Sequence, residues 1–375
     1  MERKRWIDLL RGFCMMAILW FHTEMYYAGH DVTPYALYVG DVLACFFFIS
    51  GYLFYHPAHT VSSHITSLTS PRKKLRSIAR YLLLPYFVFT TIIALTKAIA
   101  SLLSESHTSH LSPLASHLTP LLDILTGHAS WFIAALIVAE VIFVFQLYFT
   151  KGKTCSMLLL ALLWLILSCV VGNGYNAEAG LPSPLFFQYD LWHVNEAFLA
   201  LFFMTLGYLS AYHTSHLSSL TSNVGGDLQS PTITSVLLLL VLATKYLILS
   251  THAKLVLGPI IVSNYPLFIA DLLLCILLLI AITHLLSAYH TSTLHISHLS
   301  TLHSPLFTLI EWTGSHSIVY YFICGGVPFV VSRLLNSIGL PWHNYLSTLL
   351  AFIIVYIAAT LLTWLIYRYT PIMKK

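Results

Sequence analysis

Long apolar runs alternate with short polar connectors along almost the whole chain. Apolar runs of about 18 to 22 residues are typical of membrane-spanning helices. This pattern predicts ten spans, at roughly 7–27, 37–55, 80–100, 130–149, 155–171, 194–211, 233–250, 265–287, 314–332 and 345–367. We therefore expect an all-α polytopic membrane protein in which residues 1–375 form a single integral-membrane domain.

The composition agrees with this interpretation and excludes several classes of protein. Hydrophobic residues make up 58% of the 375 residues and charged residues only 9%, and the mean hydropathy is +0.80. So few polar residues cannot cover a water-soluble globule of this size. The net charge of +4 requires no nucleic-acid partner, because cytoplasmic loops of membrane proteins are rich in Lys and Arg.

The basic residues indicate the orientation of the chain. If the N-terminus is cytoplasmic, the ten predicted spans place fourteen Lys and Arg residues on the cytoplasmic side and four on the other: Lys97, Lys245, Lys254 and Arg333. The excess of basic residues on one side follows the positive-inside rule. We therefore expect both termini in the cytoplasm.

The first predicted span carries ionisable residues that are costly inside a membrane. They are Asp8, Arg11, His22 and Glu24. Arg11 and His22 are eleven residues apart, so on a helix they share one face to within ~20° and lie about 16 Å apart along the axis. Glu24, two residues after His22, points about 200° away. The spacing predicts a cation near one membrane surface and an imidazole deep inside on the same face.

Further ionisable residues fall within or near the other predicted spans. They are Asp41, Glu140, Asp190, His193, Glu196, Asp271, His284 and Glu311. Several lie close to predicted span ends, where an interfacial position is the simpler interpretation. Asp41 differs, because on the second span it lies at nearly the depth of His22 on the first, so we expect its carboxylate to orient the imidazole.

Four segments are unusually rich in His, Ser, Thr and Leu. They contain twelve of the twenty histidines and occupy residues 56–70, 107–120, 213–222 and 290–305. An H-x-x-H pair can present two imidazoles to a metal on one helical face. No carboxylate or cysteine accompanies these pairs, however, and two of the segments fall on opposite sides of the membrane. We interpret the segments as exposed low-complexity connectors and expect no bound metal.

Several motifs resemble one known family. Arg11, ten residues and then His22 are followed by FFFISGYLF (46–54), by RKKLRSIARYLLLPYFVF (72–89), by SWFIAAL (130–136) and by TGSHSIVYYFIC (313–324). In this order they resemble the acyltransferase-3 family of membrane acyltransferases, whose first helix carries an R-x10-H signature. One position departs from the family pattern, because Cys324 follows Tyr321 where a histidine is often found.

The resemblance implies transfer of a short acyl group, commonly acetyl, from cytoplasmic acyl-CoA to a carbohydrate or glycolipid acceptor of a bacterial cell envelope. The protein would then lie in the bacterial inner membrane, in contact with lipid. The position of the charges fits this independently, because Arg11, Arg76 and Arg80 can hold CoA phosphates at the cytoplasmic face. A pantetheine arm is long enough to reach from Arg11 to His22.

The first helix would carry the reaction centre. A neutral His22 could deprotonate the acceptor hydroxyl or accept the acyl group as a transient acyl-imidazole, and both roles stay open. Ser50 either lines the same cavity or, with Gly51, allows close packing of helices.

Two other functions use the same residues. A proton-coupled transporter or flippase would place its substrate and coupling sites at buried ionisable groups, but it predicts repeated halves, and the Arg11 and His22 pair has no counterpart in the second half. A non-catalytic assembly subunit would use Arg11 and His22 as an ion pair, which their axial separation of about 16 Å prevents. The sequence indicates neither the acceptor nor the oligomeric state.

Overall fold

The computed structural model describes residues 4–55, 71–103, 113–173, 190–220, 231–258, 260–293, 304–339 and 344–370. These ranges are helical almost throughout, which confirms the all-α fold class. The α-helices are α1 (Arg5–Thr23), α2 (Val39–Phe54), α3 (Pro71–Ile78), α4 (Leu84–Leu103), α5 (Pro113–Thr126), α6 (Trp131–Thr150), α7 (Thr154–Asn173), α8 (Val194–Leu220), α9 (Pro231–Thr251), α10 (Tyr265–Thr293), α11 (Ser304–Ser315), α12 (Ser317–Ile323), α13 (Gly326–Ser337) and α14 (Tyr345–Tyr369).

Shorter elements connect or extend these helices. Glu24–Ala28 and Ala79–Leu83 are π-helical, and Tyr35–Leu37, His128–Ser130 and Leu191–His193 are 3-10 turns. Two short strands, β1 (Leu255–Leu257) and β2 (Ile260–Val262), pair with each other. A π-helix is an α-helix with one extra residue in a turn, and such turns are frequent at functional sites.

Each predicted span coincides with helix in the structure. Among the described residues, seven helices are long and apolar enough to cross a membrane, or eight if α12 and α13, which are bent by 49°, form one span. The other two predicted spans coincide with α1, which has 19 residues, and α2, which has 16. The protein is therefore an integral membrane protein, while the number of ten spans and the cytoplasmic termini stay predictions.

The His-, Ser- and Thr-rich segments lie partly outside the described residues, and 56–70 does so entirely. Where the structure describes them, they are helical: α5 begins at Pro113, α8 continues to Leu220 and α10 to Thr293. These portions are helical, while the interpretation of the four segments as exposed connectors stays a prediction. Ser and Thr tolerate helix poorly on their own, but each portion is continuous with an apolar helix.

The chain divides into two compact units. The first unit comprises residues 1–49, 213–257 and 262–375, and the second comprises residues 50–212 and 258–261. The boundary falls within α2, between Ile49 and Ser50. That residues 1–375 form one domain stays a prediction.

Helix α1 is central to the first unit. It contacts α10, α11, α12, α13 and α14, and most extensively α11. Two glycines make the contact with α11 close: a Cβ on Gly12 would collide with the carbonyl of Ile310, and one on Gly314 with the carbonyl of Asp8. Small residues at such positions let helix backbones approach closely in membranes, which fixes α1 against α11.

Helix α6 has a comparable role in the second unit. Its buried Gln146 donates a hydrogen bond to the Thr205 hydroxyl at 3.0 Å and accepts one from the Trp164 indole at 2.8 Å. The amide thereby joins α6 to α7 and α8. A buried amide without partners would be costly, so this network fixes how the three helices pack.

Candidate functional site

The Arg11 and His22 pair lies on one uninterrupted α-helix. Helix α1 runs from Arg5 to Thr23 without a break, so the two side chains project from nearly one face, about 16 Å apart along the axis. The π-helix Glu24–Ala28 begins two residues after His22. The helical geometry expected from the spacing is therefore present.

The His22 imidazole is surrounded by aromatic rings. Its ring centroid lies 5.4 Å from that of Phe21 and 6.2 Å from that of Tyr26, with the Tyr26 ring stacked on it. Tyr26 in turn packs edge-on against Phe329 at 5.6 Å. Among the residues that the structure describes, none forms a hydrogen bond or ion pair with His22. Its ring nitrogens can therefore accept or donate a proton to a bound substrate.

Arg11 lies in a second aromatic environment, three helical turns away. Its charge interacts with Tyr367 of α14, whose ring centroid is 4.3 Å from that of His316. His316 stacks on Trp312 at 4.2 Å. The TGSHS motif thus contributes His316 to the surroundings of Arg11.

The path along α1 between these two environments is filled. Met15 and Ile18 project from the same face between Arg11 and His22, and they are 0% and 4% exposed. A pantetheine arm can follow this face only if these two side chains move. Both are flexible or branched aliphatic groups whose rotamers can change without breaking a polar contact.

Asp41 belongs to a different cluster from the one predicted. Its carboxylate lies 2.6 Å from the Lys245 Nζ, which also lies 2.6 Å from Asp271. The Thr244 hydroxyl donates to Asp271 at 2.9 Å. The expectation that Asp41 orients His22 is therefore corrected: the carboxylate is held by Lys245. Equal depth on neighbouring helices does not determine the direction in which a side chain points, and the prediction rested on depth alone.

Lys245 is a cluster residue that the sequence pattern did not single out. It is 9% exposed and forms ion pairs with Asp41 and Asp271. The signal was its position within the apolar run LLLLVLATKYLILS (237–250), since a lysine inside a span normally has a carboxylate partner.

Glu24 has a structural role, as its orientation on the helix suggested. Its carboxylate accepts hydrogen bonds from the Thr33 backbone N–H at 2.7 Å and the Tyr38 hydroxyl at 3.0 Å. These bonds tie the connection between α1 and α2 to the end of the π-helix. Glu24 is fully buried, so this pairing satisfies a charge that would otherwise be costly.

Ser50, the first predicted site residue of the second unit, is held by a carboxylate. Its hydroxyl donates to Glu140 of α6 at 2.6 Å. The adjacent Gly51 packs against the backbone of Met204, where a Cβ would collide. The SG pair therefore provides close helix packing, one of the two interpretations considered, and it also presents a hydroxyl with a defined acceptor.

Arg76 and Arg80 are both exposed in the second unit. Arg80 lies within the π-helix Ala79–Leu83, and its guanidinium is 5.7 Å from the Tyr81 ring centroid. Exposed guanidinium groups can form bidentate contacts with phosphate. Arg11, His22 and Asp41 thus belong to the first unit, and Ser50, Arg76 and Arg80 to the second.

An apolar groove of about 460 Å³ lies beside α1, lined by Met16, Ala17 and Trp20 of that helix and by Tyr38 and Phe352 among others. At about 100° per residue, the three α1 residues face roughly 120 to 220° away from His22. The groove therefore lies on the other side of α1, and it does not provide a cavity for an acceptor at the imidazole.

Comparison with protein families gives a match over nearly the whole chain. A family model described as an acyltransferase domain matches residues 4–368. No curated protein and no solved structure matches the chain. The matched range covers nearly all of both compact units and includes every predicted site residue.

Proposed function

Because this chain belongs to the acyltransferase-3 family, we propose that it moves a short acyl group, acetyl in the simplest case, from cytoplasmic acyl-CoA to a hydroxyl of an envelope or exported glycan. The acceptor is a carbohydrate or glycolipid, and the protein lies in a bacterial inner membrane with both termini in the cytoplasm. The observation that carries the proposal is the pair formed by Arg11 and His22 on one continuous helix.

In this proposal Arg11 binds the CoA end of the donor. The charged head group cannot enter the bilayer, so it stops at the cytoplasmic surface, where guanidinium groups pair with its phosphates. Arg76 and Arg80 are exposed and contribute further positive charge. The pantetheine arm then extends into the membrane along α1, displacing the Met15 and Ile18 side chains.

His22 acts where the thioester arrives. As a base, its ring nitrogen takes the proton of the acceptor hydroxyl while the hydroxyl oxygen attacks the thioester carbonyl. The C–S bond breaks, and the departing CoA sulfur takes the proton from the imidazolium. As a nucleophile, the nitrogen would displace the CoA thiolate and form an acyl-imidazole, and the acceptor hydroxyl would then take the acyl group while its proton passes to the thiolate. The absence of a hydrogen-bond partner for His22 among the described residues suits either role.

The test is release of CoA by the purified protein in nanodiscs supplied with radiolabelled acetyl-CoA. His22→Ala should lower turnover by about 10² to 10⁴-fold, because this is the usual contribution of a positioned acid or base. His30→Ala, which removes an exposed histidine, is the matched control and should retain turnover. Unchanged turnover in His22→Ala would refute the proposed role, and a transporter without chemistry would release no CoA.

Binding of the donor is tested separately. Arg11→Ala should raise the dissociation constant of CoA by about tenfold or more, since hydrogen bonds to charged groups contribute about 1.5 to 3 kcal/mol. Arg333→Ala is the matched control, because Arg333 is exposed and predicted to lie on the opposite side of the membrane. An identical binding isotherm for Arg11→Ala and wild type would remove Arg11 from the donor site.

A further inference from the structure

Three ionisable side chains meet at the start of α8 in the second unit. Asp190, His193 and Glu196 follow one another at intervals of three residues, and one ligand atom of each lies within 4.8 Å of the others. The His193 Nδ1 is 3.4 Å from a Glu196 carboxylate oxygen and 3.9 Å from an Asp190 oxygen. Ligands about 2.1 Å from one metal ion lie roughly 3 to 3.6 Å apart, so the group is close to coordination geometry.

The backbone adopts an unfavourable conformation to bring these side chains together. Trp192 and His193 both have positive φ, 57° and 53°, and left-handed conformations cost non-glycine residues about 1 to 2 kcal/mol each. Gly127, itself at φ 90°, leaves room for this turn, because a Cβ there would lie 2.7 Å from the Trp192 Cα. The His128 ring centroid lies 5.1 Å from that of His193. The turn is therefore held by its surroundings.

The charges in this cluster are not balanced by the described part of the chain. Glu196 is 2% exposed, and its Oε2 is buried without a hydrogen-bond partner, as is the His193 Nε2. No Lys or Arg among the described residues forms an ion pair with Asp190 or Glu196. A buried carboxyl group this close to a second carboxyl group requires either a proton or a cation between them.

We propose that Asp190, His193 and Glu196 bind one divalent cation of the Mn²⁺ class, with water molecules completing its coordination. Two carboxylates balance the two positive charges, and a neutral imidazole supplies the third ligand. Oxygen-rich sites of this kind favour Mn²⁺ over the softer metals that prefer several imidazoles or thiolates. The three residues lie outside the four His-, Ser- and Thr-rich segments, for which we expect no bound metal.

The test measures Mn²⁺ binding to the full-length protein in nanodiscs after removal of metals with a chelator. Mn²⁺ is the appropriate probe, because the twelve histidines of the His-rich segments would bind Zn²⁺ through their imidazoles. Electron paramagnetic resonance of free Mn²⁺ should show one bound ion per chain in the wild type. Glu196→Gln and His193→Gln should each weaken that binding by about tenfold or more.

Asp123→Asn is the matched control, since it removes an exposed carboxylate of the same unit and should leave Mn²⁺ binding unchanged. Absence of stoichiometric binding to the wild type, or equal binding in wild type and both Gln variants, would overturn the proposal. If Glu196→Gln is not monodisperse, Glu196→Asp keeps the charge but withdraws the carboxylate, and it should also bind Mn²⁺ more weakly. Wild-type affinity in a monodisperse Glu196→Asp would count against Glu196 as a ligand.

Discussion

Each unit contains a pair of close carboxyl groups, and the two pairs are stabilised in different ways. In the first unit, Lys245 lies 2.6 Å from both Asp41 and Asp271. In the second unit, the imidazole of His193 is the only basic group among the described residues that lies close to Asp190 and Glu196. Among the described residues, Lys245 supplies the positive charge for the first pair, and no Lys or Arg does so for the second. The first cluster is therefore structural and complete, whereas the second has the composition of a binding site.

The largest effect is expected when the internal cation of the first cluster is removed. Lys245→Met leaves Asp41 and Asp271 buried without a counter-charge, which typically costs about 3 to 5 kcal/mol. The free energy of unfolding, measured by denaturant titration in mixed micelles, should fall by that amount. Lys153→Met, at an exposed lysine, is the control. Equal stability of the two variants would show that Lys245 does not hold the carboxylates together.

A smaller loss is expected when one carboxylate of the same cluster is neutralised. Asp271→Asn keeps the ion pair between Lys245 and Asp41 but weakens the second charged hydrogen bond, which contributes about 1.5 to 3 kcal/mol. The same titration should place this variant between the wild type and Lys245→Met. A gain in stability would mean that the two carboxylates repel each other more strongly than Lys245 attracts them.

The smallest change in the free energy of unfolding is expected for a mutation in the second cluster. This is the one substitution of the three for which we allow an increase in stability. In metal-free protein, Glu196→Gln removes one of two close carboxyl groups that lack a cation, so the free energy of unfolding should fall by less than in Asp271→Asn, or should rise. Adding Mn²⁺ should then stabilise the wild type but not the variant. A loss in metal-free Glu196→Gln as large as that in Asp271→Asn would remove the distinction between the clusters.

The fold class was predictable because a long apolar run in a membrane has few structures available to it besides an α-helix. The relative position of Arg11 and His22 was equally predictable. Both residues lie on one helix, so the face they share and their axial distance depend only on the helical repeat. The partner of Asp41 could not be predicted in this way. It depends on the rotation of α2 and α9 about their own axes, which is set by tertiary packing and leaves no local signal in the sequence.

The second cluster illustrates the same limit. Asp190, His193 and Glu196 were each recognised as ionisable, but the interval of three residues spans a turn that is not helical at Trp192 and His193. Regular helical geometry would have placed the side chains differently. Their convergence depends on the positive φ angles and on the space left by Gly127, so it became visible only in the structure.

The contact between α1 and α11 has a consequence for distance measurement within the first unit. Gly12 and Gly314 lie against carbonyl groups of the facing helix, so α1 cannot slide along its axis without a backbone collision. Arg11 is next to this contact, so the height of its Cα is fixed relative to α11. The axial position of α1 is thereby fixed. The depth of His22 relative to Arg11 then follows from the helical rise over the eleven residues that separate them.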